Sequence, residues 1–225
     1  MKRKKLQIDS FSYYGMEIRY IGALPEKDTV FLSGGKGMGK EGIVSMYRSS
    51  LEAAANNWNV SYLPGLEYSE AVEKGIFEKD RGALYAFIPM GLNCASLGLI
   101  SRCLITGGGV ISPVADDSLF SLSALSASRS LAQSLSRATI MGGENLSYIP
   151  FSVVSALDEG REVAVLESAL NGKGMRNLIR DGALIVQSFS GFLSDPRYIS
   201  FPDKKGKYGI MGENFGLLDM ERYEK

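Results

Sequence analysis

Histidine is absent from this sequence. Imidazole acid–base catalysis, serine–histidine–aspartate triads and histidine metal ligands are excluded together. Cysteine is scarce: Cys94 and Cys103 are the whole supply, set in an apolar segment without metal-ligand neighbours. They read as buried free thiols of a reducing cytoplasm rather than as a disulfide framework. Neither charge sign is in excess, since 25 Lys and Arg face 25 Asp and Glu. The basic surplus of a general nucleic-acid binder is missing, so any anion site must be local. No apolar run reaches the ~20 residues of a membrane-spanning helix. The basic start Met1-Lys2-Arg3-Lys4-Lys5 has no apolar segment behind it, so a signal peptide is not expected. The expected location is cytoplasmic, with no membrane contact.

What is present suffices for one α/β domain: 225 residues, 45% hydrophobic. The chain is organised around Thr29 to Gly42, TVFLSGGKGMGKEG. A short strand-forming run, about 29–33, empties into a turn containing Gly34, Gly35, Gly37, Gly39 and Gly42, and a helical pattern follows at once. Strand, glycine turn and helix together present bare N–H groups at the positive end of a helix dipole, a ready anion site. Lys36 and Lys40 add positive charge.

Several readings of this turn compete. Gly37-Met38-Gly39-Lys40-Glu41-Gly42 fits the dinucleotide pattern, which also wants an acid at the end of the next strand. That strand ends Leu63-Pro64-Gly65, with Glu67 only past the turn, so the requirement is poorly met. Gly34 to Lys40 fits the phosphate loop of ATPases, but Glu41 stands where a magnesium-binding hydroxyl is needed. A phosphate cradle without chemistry needs only donors and positive charge, and both are present. The bland alternative is that the glycines merely allow tight strand–helix packing.

Along the chain, residues 1–28 show no clear period; Phe11, Tyr13 and Tyr14 are expected to cover the domain. Helical spacing spans Glu41 to Asn57, Ser69 to Phe77, Ser96 to Cys103, Tyr148 to Glu159 and Gly174 to Arg180. Strand patterns occupy Val60–Leu63, Gly82–Pro89, Val110–Ser112, Ala138–Met141, Val163–Leu166 and Ala183–Val186. The Ser/Ala/Leu stretch from Asp117 to Ser136 keeps a helical beat and reads as one or two helices. It offers either a dimer face or ordinary core. This alternation calls for a mostly parallel sheet covered on both faces, three layers in all. Gly34–Gly42, Pro64–Gly65, Met90–Asn93, Ser112–Pro113 and Gly142–Gly143 then follow strands and line one edge, where ligands of such sheets bind. Residues 1–190 are expected to form one domain, and 191–225 a peripheral tail with one small hairpin.

Several ordered blocks resemble the DNA-processing proteins called DprA or Smf. They are Gly34-Gly35-Lys36 with Gly42, Gly65-Leu66, Gly91-Leu92-Asn93, and Gly108-Gly109-Val110-Ile111-Ser112. They continue with Ser128 to Ser136, holding Arg129, then Gly160-Arg161-Glu162-Val163-Ala164-Val165, Gly174, and Asn177 to Ala183. The resemblance covers about residues 12 to 190. It implies a doubly wound, Rossmann-like domain that binds single-stranded DNA and helps load the RecA recombinase, in recombination or DNA uptake. A homodimer is the expected assembly. The implied phosphate contacts are Gly34, Gly35, Lys36, Gly37, Gly39, Lys40, Gly65, Ser112 and Arg129. Tyr68 or Tyr148 would stack a base, or serve as plain packing. No catalytic residue, cofactor or metal is assigned. The alternative is a Rossmann-like nucleotide-binding protein, or a phosphoribohydrolase acting on a nucleoside monophosphate. Such enzymes carry a Pro-Gly-Gly-x-Gly-Thr loop, to which Gly107-Gly108-Gly109-Val110 is the nearest run here, and it lacks the threonine.

Overall fold

The computed structural model describes residues 7–26, 28–35, 37–142, 151–158 and 160–195. Its strands are β1 (Asp9–Tyr13), β2 (Met16–Gly22), β3 (Thr29–Gly34), β4 (Asn59–Tyr62), β5 (Leu84–Phe87), β6 (Gly109–Ser112), β7 (Ala138–Gly142), β8 (Glu162–Leu166) and β9 (Leu184–Val186). They form one sheet in the order β1-β2-β6-β5-β4-β3-β7-β8-β9. From β6 to β9 every pairing is parallel, while β2 joins β6 antiparallel and β1 joins β2 antiparallel. The central strands are apolar on both faces because helices cover both.

The helices are α1 (Lys40–Ala55), α2 (Ser69–Lys79), α3 (Leu97–Ile105), α4 (Leu122–Ser134), α5 (Phe151–Asp158), α6 (Lys173–Arg180) and α7 (Phe189–Ser194). Side chains on one face of the sheet, among them Val30, Leu32, Val60, Tyr62 and Ile140, pack with Met46 of α1, Val72 and Ile76 of α2, Leu99 and Cys103 of α3, and Phe189 and Phe192 of α7. Phe31, Tyr85, Phe87 and Ile111 point the other way and meet Leu131 and Ala132 of α4. On that second face Val163 and Val165 meet Val153 and Ala156 of α5 and Met175 and Leu178 of α6. The result is the three-layer, mostly parallel α/β architecture expected, and the fold is Rossmann-like.

Glycine permits the close contacts inside it. Gly75 of α2 lies on the backbone of α1, where a β-carbon would come 2.8 Å from Leu51 N and from Tyr47 O. The Ser50 hydroxyl donates to the Val72 carbonyl across the same crossing at 2.6 Å. Between α2 and α3, the Glu73 carboxylate accepts from the buried Tyr62 hydroxyl at 2.6 Å and pairs with Arg102 Nε at 2.7 Å. Burial drives the Tyr62 phenol far above its ordinary range, with Cys103 and Glu73 adding to the effect.

Three elements differ from the sequence reading. Residues 9–22 form a hairpin on the sheet edge, turned by Tyr14 and Gly15, both at positive φ (48° and 76°). That is the geometry of a two-residue hairpin turn, but Tyr-Gly is a weak signal beside the usual Asn-Gly. Phe11 and Tyr13 of this hairpin pack with the core of the second face, joined by Tyr20, whereas Tyr14 is exposed at the turn, so the expected cover holds for two of its three aromatics and is strand-borne. Cys94 is exposed, and only Cys103 is a buried thiol. Packing continues past residue 190: Phe189 and Phe192 are fully buried, their rings 5.1 and 6.4 Å from that of Trp58. Residues 143–150, with the start of the expected Tyr148–Glu159 helix, and residues 196–225, with their expected hairpin, lie outside the described residues.

Candidate functional site

The sheet reverses direction beside β3. The chain runs outward through β4, β5 and β6, then α4 carries it back across to β7 on the other side of β3. Gly34 and Gly142 pair at the carboxyl end of that reversal. This is where open α/β sheets leave a crevice between the connections. The loops expected to line one edge do so in the described residues: they follow the carboxyl ends of parallel strands β3, β4, β5, β6 and β7.

The glycine turn divides into a closed floor and an open rim. Gly34 and Gly35 are buried. A β-carbon on Gly34 would come 2.5 Å from the Met38 methyl carbon and 2.5 Å from Tyr68 Cδ1. Met38 also lies against Gly42, where a β-carbon would sit 2.5 Å from its Cγ. The chain's own side chains therefore fill the base of the turn. For Gly34 and Gly42 the packing reading holds: they are small so that Met38 and Tyr68 can fit. The rim is different. Gly37 is exposed at φ +76°, Gly39 is the extended residue capping α1, and Lys40 is exposed at the first position of that helix. Lys36 lies outside the described residues.

Across the rim stands the loop after β4. The Gly37 N–H donates to Glu67 Oε1 at 3.2 Å, so a carboxylate already occupies one of the turn's amides. Gly65 begins this loop, exposed, at φ +82°. Tyr68 ends it, fully buried. That burial settles the stacking question for Tyr68: its ring is packed against Gly34 and is no open platform for a base. Tyr148 lies outside the described residues. The Tyr68 hydroxyl has no hydrogen-bond partner. Burial pushes it up to about 12, tempered by the nearby backbone of Gly34 and Leu63 and by the Arg129 guanidinium.

Arg129 reaches this region from α4. The helix is tied to the sheet one residue earlier, where the Ser128 hydroxyl donates to the Ile88 carbonyl at 2.8 Å. Arg129 Nε is buried without a hydrogen-bond partner, and no carboxylate among the described residues pairs with this side chain. Ser112 is engaged elsewhere. Its hydroxyl donates to the Met90 carbonyl at 2.8 Å and accepts from the Val114 N–H at 3.2 Å, bracing the loop after β6. That loop is further held by Gly91 N–H to Ser118 O at 2.7 Å and Asn93 Nδ2 to Asp117 Oδ1 at 2.8 Å. It exposes Leu119 and Phe120, and Leu122 at the start of α4 is exposed beside them in sequence. The structure thus brings Gly34, Gly35, Gly37, Gly39, Lys40 and Arg129 to the reversal around Tyr68, with Gly65 on the facing loop. Ser112 serves the β6 connection.

Sequence reasoning left Tyr68 open between stacking and packing, and it missed Met38 as filling and Glu67 as a partner of Gly37. A glycine turn announces available space, but not which side chain takes it. Among the described residues no group of three Cys, Asp or Glu side chains is placed to hold a metal ion. No helix there is long and apolar enough to cross a membrane. The arrangement offers amide donors and isolated cations.

No protein-family model matches the chain, and no curated protein matches it. Solved structures do. DNA processing protein A (DprA) from Streptococcus pneumoniae superposes with a TM-score of 0.65 at 17% identity, over 85% of this chain and 75% of that one. DNA processing protein A from Helicobacter pylori, described by its single-stranded DNA binding mode, gives 0.65 at 14% identity, over 84% of this chain and 94% of that one. The molybdenum cofactor binding protein from Rippkaea orientalis gives 0.55 at 14% identity, over 78% and 98%. The shared property is the fold. At such identities the likeness extends to DprA-type and cofactor-carrier architectures alike.

Proposed function

We propose that this chain binds single-stranded DNA by its phosphates at the reversal of the sheet, as a DprA-like DNA-processing protein. The observation that carries the reading is Arg129. A partly buried guanidinium without a carboxylate partner costs folding free energy. It is repaid when an anion from outside completes it. Lys40 stands on the open rim beside Gly37, whose N–H donates to Glu67 Oε1, and Lys36 adjoins them in sequence. In this reading Gly34, Gly35 and Gly39 shape the turn, Gly65 gives the facing loop its bend, and Ser112 holds the β6 connection. A cytoplasmic role in recombination or DNA uptake, with RecA as partner and a homodimer as the working form, extends the same reading through the likeness to DprA.

The test is filter binding of a labelled single-stranded oligonucleotide across a salt series. Each phosphate gripped contributes roughly −0.7 to the log–log slope, so three cations give about −2. Affinity indifferent to salt, or unchanged in the Lys40→Ala/Arg129→Ala double variant, removes the proposal.

A second reading is favoured by the scarcity of cations. Lys40 and Arg129 share the edge with Glu67, Asp116 and Asp117, which suits one phosphate better than a long polyanion. A nucleotide-binding protein, or an enzyme acting on a nucleoside monophosphate, has that requirement. Stabilisation against heat by AMP but not by an oligonucleotide selects it.

A further inference from the structure

We propose that Glu67 is an internal anion latch: its carboxylate holds the Gly37 amide in the free protein and must swing away before a phosphate binds there. This rests on the phosphate reading above and adds its regulation. The contact joins two loops that follow neighbouring strands, with Gly37 N–H donating to Glu67 Oε1 at 3.2 Å. Both residues are exposed, so an incoming anion can reach the contact and exchange with it.

The latch moves by side-chain rotation, because its backbone is fixed on both sides. Ser69 Oγ accepts from the Leu66 N–H at 3.0 Å and donates to the Leu63 carbonyl at 3.1 Å, tying the loop into a closed turn. Tyr68, the next residue after Glu67, is fully buried against Gly34. The loop that carries Glu67 is therefore anchored while its carboxylate is free to leave. Two further groups point to a missing acceptor at the same reversal. The Tyr68 hydroxyl and Arg129 Nε are both buried and both lack hydrogen-bond partners. A carboxylate on the rim satisfies Gly37 but leaves this deeper pair unserved. A phosphate, with more acceptor oxygens, is the ligand that replaces the carboxylate at Gly37 and extends toward Arg129. The resident charge also repels any anion that does not displace it, so weakly binding anions are turned away.

The experiment uses the full chain as wild type, Glu67→Ala, Glu67→Gln and Arg129→Ala. The probes are a twelve-nucleotide oligothymidylate and inorganic phosphate, read by fluorescence anisotropy and by the Gly37 amide resonance respectively. Glu67→Ala is expected to bind the oligonucleotide about three- to tenfold more tightly, the range for losing an exposed charged competitor. Glu67→Gln, which keeps the shape and removes the charge, is expected to bind more tightly than wild type by a smaller factor. Phosphate is expected to shift the Gly37 amide at lower concentration in both variants. Equal or weaker binding by Glu67→Ala, with Arg129→Ala still impaired, overturns the latch and leaves the phosphate reading standing. No binding of either probe by any of the four proteins overturns both. Thermal unfolding midpoints of the Glu67 variants within a degree or two of wild type show that the comparison is between folded proteins.

Discussion

The Tyr68 ring lies on the α-carbon of Gly34: a β-carbon there would come 2.5 Å from Cδ1 and 2.6 Å from Cε1. One small residue at the end of β3 and one buried aromatic at the start of α2 thus close the base of the glycine turn together.

Gly34→Ala is expected to destabilise the fold by about 1–3 kcal/mol, the cost of overpacking a filled core site. Met38 is flexible and can yield, whereas the Tyr68 ring is held. Gly108→Ala is expected to cost more. Its β-carbon would come 2.0 Å from the Leu84 carbonyl oxygen, which belongs to a central strand. Backbone in a sheet cannot rotate aside as a methionine can. Urea unfolding of the two variants measures the ordering, and a Gly34 variant less stable than the Gly108 variant contradicts it.

The architecture was readable from the sequence and much of the site was not. Apolar runs such as Val60 to Leu63 and Val163 to Leu166, spaced by helical repeats, specify a parallel sheet because both faces must be covered. The glycine turn was readable for the same reason, since its composition permits little else. The hairpin escaped notice because Tyr14 supplies a positive φ that its side chain disfavours, so the usual turn signal is absent. Glu67 escaped, and Tyr68 stayed open between stacking and packing, because their roles are set by contacts 30 or more residues away. A tyrosine that stacks a base and one that fills a glycine notch look alike until the fold places them.

Glu73 joins α2 to α3 and to β4, through Arg102 Nε at 2.7 Å and the Tyr62 hydroxyl at 2.6 Å. Removing the carboxylate strands a buried phenol, since Tyr62 is fully buried. Glu73→Ala is expected to cost about 2–4 kcal/mol. Tyr62→Phe alone is expected to cost less, and the two changes together less than their sum. A double-mutant cycle measures that coupling, and strict additivity would show that the hydroxyl and carboxylate act independently.

Glu52 secures α7 to α1. Burial by itself would raise this carboxyl, but hydrogen bonds from Ser188, Ser190 and Arg48 outweigh it and leave the group below its ordinary 4.5. The Ser190 N–H donates to Oε2 at 2.8 Å. A carboxyl lowered in the folded state adds stability above its unfolded value and loses it as pH falls through the folded one. Stability is therefore expected to decline as pH drops below about 4.5, and Glu52→Gln should flatten that part of the profile. Denaturant midpoints at pH 7, 5, 4 and 3 provide the comparison. A Glu52→Gln profile parallel to wild type over this range excludes the linkage.

Arg129 separates function from stability. A residue kept for packing or pairing destabilises the protein when replaced. A cation kept for a ligand does not, because the free protein carries an unpaired Nε that is buried without a partner. Arg129→Met retains an unbranched side chain and removes the charge and its desolvation cost. Its unfolding midpoint is expected to equal or exceed that of wild type, while oligonucleotide affinity falls about tenfold or more and the salt slope shrinks by about 0.7. Arg129→Lys should restore charge but not the planar fork, so binding recovers only in part. A variant that unfolds more readily yet binds as well as wild type would make Arg129 a structural residue, and the carboxyl-end crevice would lose its best reason for holding an anion.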